Sequence, residues 1–316
     1  MIGDPAGIGP EVCVKAIASR ELADHCLPLL IGDAVVVRQA AAQCGIEMPV
    51  VTVTDPTAGG WEVGEIAVTD PGGFDATAMR IGHACAASGE AVLAGIELGA
   101  RLGRAQRIQG LIWAPVNTDS MKATGRIDEI DDLQPEGSFM LRLSGMLRVV
   151  PLSEHVPLQQ AIELVTPQRV LALIRLLDTT LRSWGMASPR LAVAGLNPHA
   201  MFDDDHRRIG PAVEAARAQG IAVDGPVGPD SVFRLAMDGR YDAVITMFHD
   251  QGQIVVKTVA FAGACTVYIG LPYVLLNVPH GTAFDIAGQG VAQHQSMLAA
   301  FKTAARLAAG RGLANH

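Results

Sequence analysis

The chain has 316 residues, 49% of them hydrophobic and 18% charged, which suits a compact enzyme of one large or two smaller domains and excludes a disordered or fibrous chain. Its net charge of -8 argues against a general nucleic-acid binder. Cys13, Cys26, Cys44, Cys85 and Cys265 form no CxxC pair, and neither a leader pattern nor an apolar run near the ~20 residues of a membrane helix is present, so a soluble cytoplasmic protein without a membrane partner is expected.

In chain order, Met1-Ile-Gly-Asp-Pro-Ala-Gly-Ile-Gly-Pro-Glu11 reads as the last step of a strand, a glycine-rich turn and a helix opening near Pro10. Such a turn presents backbone N–H groups to an anion or cofactor. The strand that should feed it is nearly absent, so a trimmed chain or a gene start assigned late is expected. Strands are predicted at Leu27–Ile31, Val50–Val53, Glu65–Thr69 and Gly110–Val116, with a helix over Gly89–Arg104 between the last two. An acidic, irregular segment, Gly125–Gly137, is open to two readings, a solvated loop or a substrate-covering one, and a crossing between domains is expected near residue 120.

Three buried apolar runs then follow one pattern. Leu147–Leu152 delivers Ser153-Glu-His155, Leu191–Leu196 delivers Asn197-Pro-His199, and Ala243–Phe248 delivers His249-Asp-Gln251. Six residues without a charge, Ala243–Phe248, suit a parallel strand covered on both faces, and ligand sites in such sheets lie beyond the strands' carboxyl ends. Between and after them, Gln159–Trp184 is helical with a break at Pro167, Pro211–Gln219 is a short helix, Tyr273–Val278 a strand and Ser296–Ala309 a closing helix. The pattern is α/β.

Any one histidine is more often structural than functional. Three at equivalent strand ends point to a metal site, with His155, His199 and His249 as the ligands. A divalent ion (Zn, Co, Mg or Mn) held there would bind a substrate hydroxyl while hydride leaves the attached carbon. Asp230 and Asp250 are candidates for general base or for orienting a histidine, although an aspartate before Ser231 is equally a plain helix cap. Lys257, on the apolar run after His249, is a candidate for an anionic substrate group or a helix end. In His280-Gly-Thr-Ala-Phe-Asp-Ile-Ala-Gly288, small residues allow close backbone approach, and no GxGxxG fingerprint marks a standard Rossmann site.

Taken together, Gly3–Glu11, Leu196–Ala200, Asp230, Met247–Gly252 with Lys257, Gly270–Pro272 and His280–Gly288 resemble the 4-hydroxythreonine-4-phosphate dehydrogenase family of vitamin B6 biosynthesis and its catabolic relatives. The resemblance implies an isocitrate/isopropylmalate dehydrogenase-like two-domain α/β fold with a mainly parallel sheet and an interdomain cleft. It also implies a homodimer sharing its active site, with the three histidines as metal ligands contributed across the dimer. NAD or NADP would lie on the loop of His280, Gly281, Thr282, Ala283, Asp285, Ile286, Ala287 and Gly288. Residues 1–120 with 265–316 would form the cofactor domain, and residues 121–264 the metal and dimerisation domain. The implied reaction oxidises a secondary alcohol of a small-molecule substrate and releases CO2 from the β-keto acid.

Substrate would fall among Asp4, Asn117, Glu136, Gly137, Thr266 and Leu275. Here the sequence departs from the family it resembles. The family's Gly-His-Thr-Glu segment is missing near Gln134–Phe139, and an asparagine and an arginine that hold phosphate align with Thr266 and Leu275. A glycine-rich stretch after Asn-Pro-His is replaced by Met201–Arg208. A non-phosphorylated hydroxy acid or diol acid is therefore expected, as in the similar terephthalate cis-dihydrodiol dehydrogenases, with Lys122, Arg126, Arg142 or Arg207 receiving a carboxylate. Two alternatives stay open: a genuine 4-hydroxythreonine-4-phosphate dehydrogenase, and a phosphate acyltransferase-like enzyme. A catalytically silent binding protein is a further rival.

Overall fold

The glycine-rich turn opens the structure as it opens the sequence. In the computed structural model, which describes residues 1–56, 59–259, 265–278 and 280–312, Pro10 sits in the first turn of helix α1 (Gly9–Ala18), where its missing N–H leaves no carbonyl unpaired. The chain forms two compact units, Met1–Glu136 with Leu271–Ala308, and Gly137–Gly270 with Ala309–His316. The expected domain limits at 264 and 316 fall outside the described residues.

The first unit continues with β1 (Leu29–Ile31), α2 (Ala34–Gln43), β2 (Val50–Thr52) and β3 (Ile66–Thr69), then α3 (Ala86–Arg104), β4 (Gly110–Trp113) and α4 (Thr118–Lys122). Strands β1, β3 and β2 pair in that order, all parallel. Met1 and Ile2 join the backbone ladder, Ile2 donating to the Ile31 carbonyl and the Met1 carbonyl accepting from Ala114. Helix α3 begins three residues before the expected Gly89. That glycine lies inside the helix because a Cβ there would stand 2.0 Å from the Ser120 carbonyl oxygen on α4. Pro115 ends β4 earlier than the apolar run suggests.

The second unit holds β5 (Phe139–Ser144), β6 (Leu147–Pro151), α5 (Leu158–Leu164), α6 (Pro167–Ser183), β7 (Leu191–Ala194) and α7 (Gly210–Ala218). It ends with β8 (Val223–Val227), α8 (Val232–Met237), β9 (Ala243–Thr246), α9 (His249–Val259) and β10 (Cys265–Ile269). The break expected at Pro167 is real: Thr166 caps α6 by accepting from the Arg169 amide. The strands run in the order β10-β5-β6-β9-β7-β8, with β5 antiparallel to both neighbours and β6, β9, β7 and β8 parallel.

Residues of β9 and β7 are buried on both sheet faces, which is why their runs carry no charge, while β6 carries one half-buried cation, Arg148, which donates to the Asp242 carbonyl. On one face Val149, Val244, Ala192 and Ala194 pack with Val232 and Phe233 of α8 and Val256 of α9. On the other, Val193 of β7 and Val213 of α7 meet over Gly225. Truncating such a side chain, as in Val244→Ala, removes apolar contact worth about 1–3 kcal/mol. The chain then returns to the first unit with β11 (Val274–Asn277), parallel to β4, and α10 (Gln295–Ala308). Among the described residues no helix is long and apolar enough to cross a membrane.

Candidate active site

Parallel pairing in register, Val150 with Ile245 and Val193 with Ile245, sets the carboxyl ends of β6, β9 and β7 side by side. His155, His249 and His199 follow these three ends. The rings of His155 and His249 approach to 4.6 Å between centroids, tilted by 51°. Their nitrogens and a carboxylate oxygen of Glu154 all lie within 4.8 Å of one another. Two imidazoles and a carboxylate are a donor set that suits Zn2+, Co2+ or Mn2+, so the residues present fit a divalent cation.

Two of these donors, His249 and Glu154, are held from behind. His249 Nδ1 lies 2.6 Å from the Asp250 carboxylate, which leaves Nε2 as the ring's ligand atom. Glu154 accepts two hydrogen bonds of 2.7 Å from the Arg142 guanidinium, and both side chains are nearly buried, at 13% and 7% exposure. Arg142 also donates to the Met140 carbonyl. Gln251 ties the strand ends together, accepting from the Met247 amide and donating to the Gly195 carbonyl, each at 2.8 Å.

His199 lies outside that donor group. It sits in the left-handed region, φ 57°, followed by Ala200 at φ 54°, two consecutive strained non-glycine residues of the kind that accumulate at functional sites. Its Nδ1 is 3.2 Å from Asp230, and both side chains are exposed. Asp205, fully buried, fixes this loop: its carboxylate accepts from the amides of Leu196 and Asn197, the Asn197 side chain and the Phe202 amide. Asp230 is not the plain cap that its position before Ser231 allowed, since α8 has no side-chain cap.

In the first unit the loop from His280 to Gly288 packs on the glycine-rich turn. The Ile8 amide donates to the Thr282 carbonyl, and Gly7 has no room for a Cβ beside Thr282. Ala283 takes a positive φ of 42°. Just beyond, Lys15 donates to the carbonyls of Gly290 and Ala292 while its ion-pair partner Glu11 accepts from their amides. A shallow cleft opens here, lined by Gly7, Glu11, Gln39, Gln43, Ile81 and Gly288 among others. His280 and Asp285 stand at the surface.

A family model described as pyridoxal phosphate biosynthetic protein PdxA matches residues 24–304. The chain belongs to the PdxA family. One PdxA relative, a putative 4-hydroxythreonine-4-phosphate dehydrogenase of Novosphingobium aromaticivorans, is 41% identical over 99% of this chain and 94% of its own length. A crystal structure of a 4-hydroxythreonine-4-phosphate dehydrogenase from Burkholderia phymatum superposes with a TM-score of 0.83 at 33% identity, covering 97% of this chain and 96% of that one. A terephthalate 1,2-cis-dihydrodiol dehydrogenase from Burkholderia xenovorans LB400 gives a TM-score of 0.76 at 30% identity, covering 99% and 97%. As a PdxA-family member the protein is a dehydrogenase acting on a hydroxyl group.

The residues expected to face the substrate lie in varied surroundings. Leu275, expected to align with a phosphate-holding arginine, is wholly buried in β11 opposite Leu111. Thr266, half-buried on β10, stands opposite Arg142 on β5. Asp4 is also wholly buried, and burial holds its carboxyl above the usual carboxylate range despite hydrogen bonds from the Ala6 amide and Ser88 hydroxyl. Asn117 caps α4 by accepting from the Ser120 amide. Glu136 and Gly137 are exposed at the end of the acidic segment.

None of the four basic residues expected to receive a carboxylate is uncommitted. Lys122 pairs with Glu129, Arg126 with Glu90 and Glu97, Arg142 with Glu154, and Arg207 with Asp203. Lys257 is exposed on α9 and has no ion pair among the described residues. Sequence reasoning passed over Glu154, Arg142 as its partner, Gln251 and Asp205. Glu154 was visible only as the neighbour of His155, and Asp205 sat inside an Asp-Asp-Asp-His-Arg-Arg run that reads as solvated charge.

Proposed function

We propose that the protein is a divalent-metal-dependent, NAD- or NADP-linked dehydrogenase that oxidises a secondary alcohol of a non-phosphorylated hydroxy acid or diol acid, with decarboxylation of the β-keto acid formed. The observation that carries the substrate reading is Leu275: a leucine buried within β11 offers no charge to a phosphate. A second reading, a genuine 4-hydroxythreonine-4-phosphate dehydrogenase, is favoured by Lys257, an exposed cation on the helix that begins at His249.

His155 and His249 would hold the cation, and His199 of a second copy in a homodimer would supply the remaining histidine, in keeping with its place outside the Glu154, His155 and His249 group. Bound there, the cation supplies Lewis acidity to the substrate hydroxyl. Asp250 holds the proton on His249 Nδ1, and Asp230 orients His199 in the same way. Whichever of Asp230 and Asp250 does not orient its histidine in the substrate complex takes the hydroxyl proton, and Lys257 binds a substrate acid group. The nicotinamide cofactor lies along His280–Gly288, with the first unit as its domain and the second as the metal and dimerisation domain in the cytoplasm.

Reduction of NAD followed at 340 nm tests this against a panel of phosphorylated hydroxy acids and unphosphorylated diol acids, with His249→Ala as control. Turnover of an unphosphorylated compound, lost in the control, is expected. Turnover confined to phosphorylated compounds would select the second reading.

A further inference from the structure

The notable group beside the histidine pair is Glu154 with Arg142. A buried arginine on a strand needs a counter-charge, and Glu154 meets that need with both oxygens. Yet each carboxylate oxygen has two lone pairs, and one hydrogen bond to Arg142 uses only one of them. The remaining pairs belong to a carboxylate that lies within 4.8 Å of the ligand nitrogens of His155 and His249. The side chain is 13% exposed, so its orientation is fixed by the guanidinium rather than by water.

We infer that Glu154 is a metal ligand alongside His155 and His249, pre-set by Arg142, so that this protein holds its cation with a carboxylate in the set. The inference rests on the reading of the histidine pair as a metal site. Its chemical consequence is a harder donor set than histidines alone, which raises the standing of Mn2+ or Mg2+ relative to Zn2+. A hydrogen-bonded carboxylate ligand is the arrangement expected of a metal's outer partners, with Arg142 in the positioning role.

Calorimetric titration of the metal-free protein with Mn2+ and with Zn2+ separates the possibilities. Glu154→Gln keeps the shape and one acceptor for Arg142, and it should weaken Mn2+ binding by about 10-fold or more while weakening Zn2+ less. Unchanged Mn2+ affinity in Glu154→Gln would overturn the inference. Because the single variant leaves Arg142 without its full counter-charge, the double variant Arg142→Met with Glu154→Met removes both charges together. If Glu154 is only the arginine's partner, the double variant recovers wild-type metal affinity and the inference fails. If Glu154 is a ligand, the double variant melts like the wild type without metal and still binds Mn2+ weakly. His249→Ala reports on the underlying reading: wild-type affinity there would remove the metal site itself, whatever Glu154 does.

Discussion

At the scale of single residues, Asp205 shows how a side chain can do the work of a flexible backbone. After the Asn197-Pro-His199 motif a buried carboxylate gathers the amides of Leu196, Asn197 and Phe202. Asp205→Ala leaves these donors unpaired and should cost about 2–4 kcal/mol of stability, with turnover falling as His199 loses its place. Denaturant midpoints and kcat together check it. Asp250→Ala removes the partner of His249 Nδ1, and metal affinity should fall about 10- to 100-fold with little change in melting of the metal-free protein. Residue-level legibility was uneven for a physical reason. The histidines announced themselves because a polar residue ending an apolar run has few structural uses. Glu154 and Asp205 did not, since burial of an acid is decided by a partner 12 residues away in one case and by main-chain amides in the other.

At the scale of elements, the parallel strands were readable and their ends nearly so. Runs such as Ala243–Phe248 are uncharged because α8 and α9 cover one face and α7 the other, a cause that leaves its mark on every residue. Helix starts were harder where glycine serves packing: α3 runs through Gly89 because α4 passes against it. Gly89→Ala forces a Cβ against the Ser120 carbonyl and should destabilise the first unit by about 1–3 kcal/mol, read from thermal melting. The pairing of Glu11 with Lys15 looks in sequence like a routine helix-surface pair, yet it clamps residues 290–292. Lys15→Met should raise KM for NAD while leaving metal affinity unchanged. Asp242 adds an acid-dependent contribution at the entry to β9. Burial alone would raise its pKa, but hydrogen bonds from the Arg190 side chain and amide hold it below the usual carboxylate range. Its support is present above the ordinary carboxylate pKa and lost as pH falls through the depressed one, so Asp242→Asn should flatten the acid limb of a stability profile.

For the molecule as a whole, metal and fold are linked. A cation that binds only the folded state stabilises it by about 2.7 kcal/mol at 100 times its dissociation constant. Chelation should therefore lower the melting temperature of wild type, and the shift should vanish in His249→Ala. Family membership was legible because motifs spread over most of the chain must occur in one order to be recognised. Substrate was less so, since a wholly buried Leu275 says only that no charge stands there, and not where a substrate acid group would be met. Leu275→Arg should unfold the protein rather than confer phosphate binding, because the charge would enter a wholly buried strand position.

The Arg142–Glu154 pair also carries a history. Either charge introduced alone into this interior would stand unpaired, at about 3–5 kcal/mol against a typical total stability of about 5–15 kcal/mol. A lineage acquiring the pair one substitution at a time crosses a poorly folded ancestor, and one losing it must cross the same ground in reverse. Once both residues were in place, selection on either became selection on both, so the pair is expected to be inherited as a single character that marks a branch of the family.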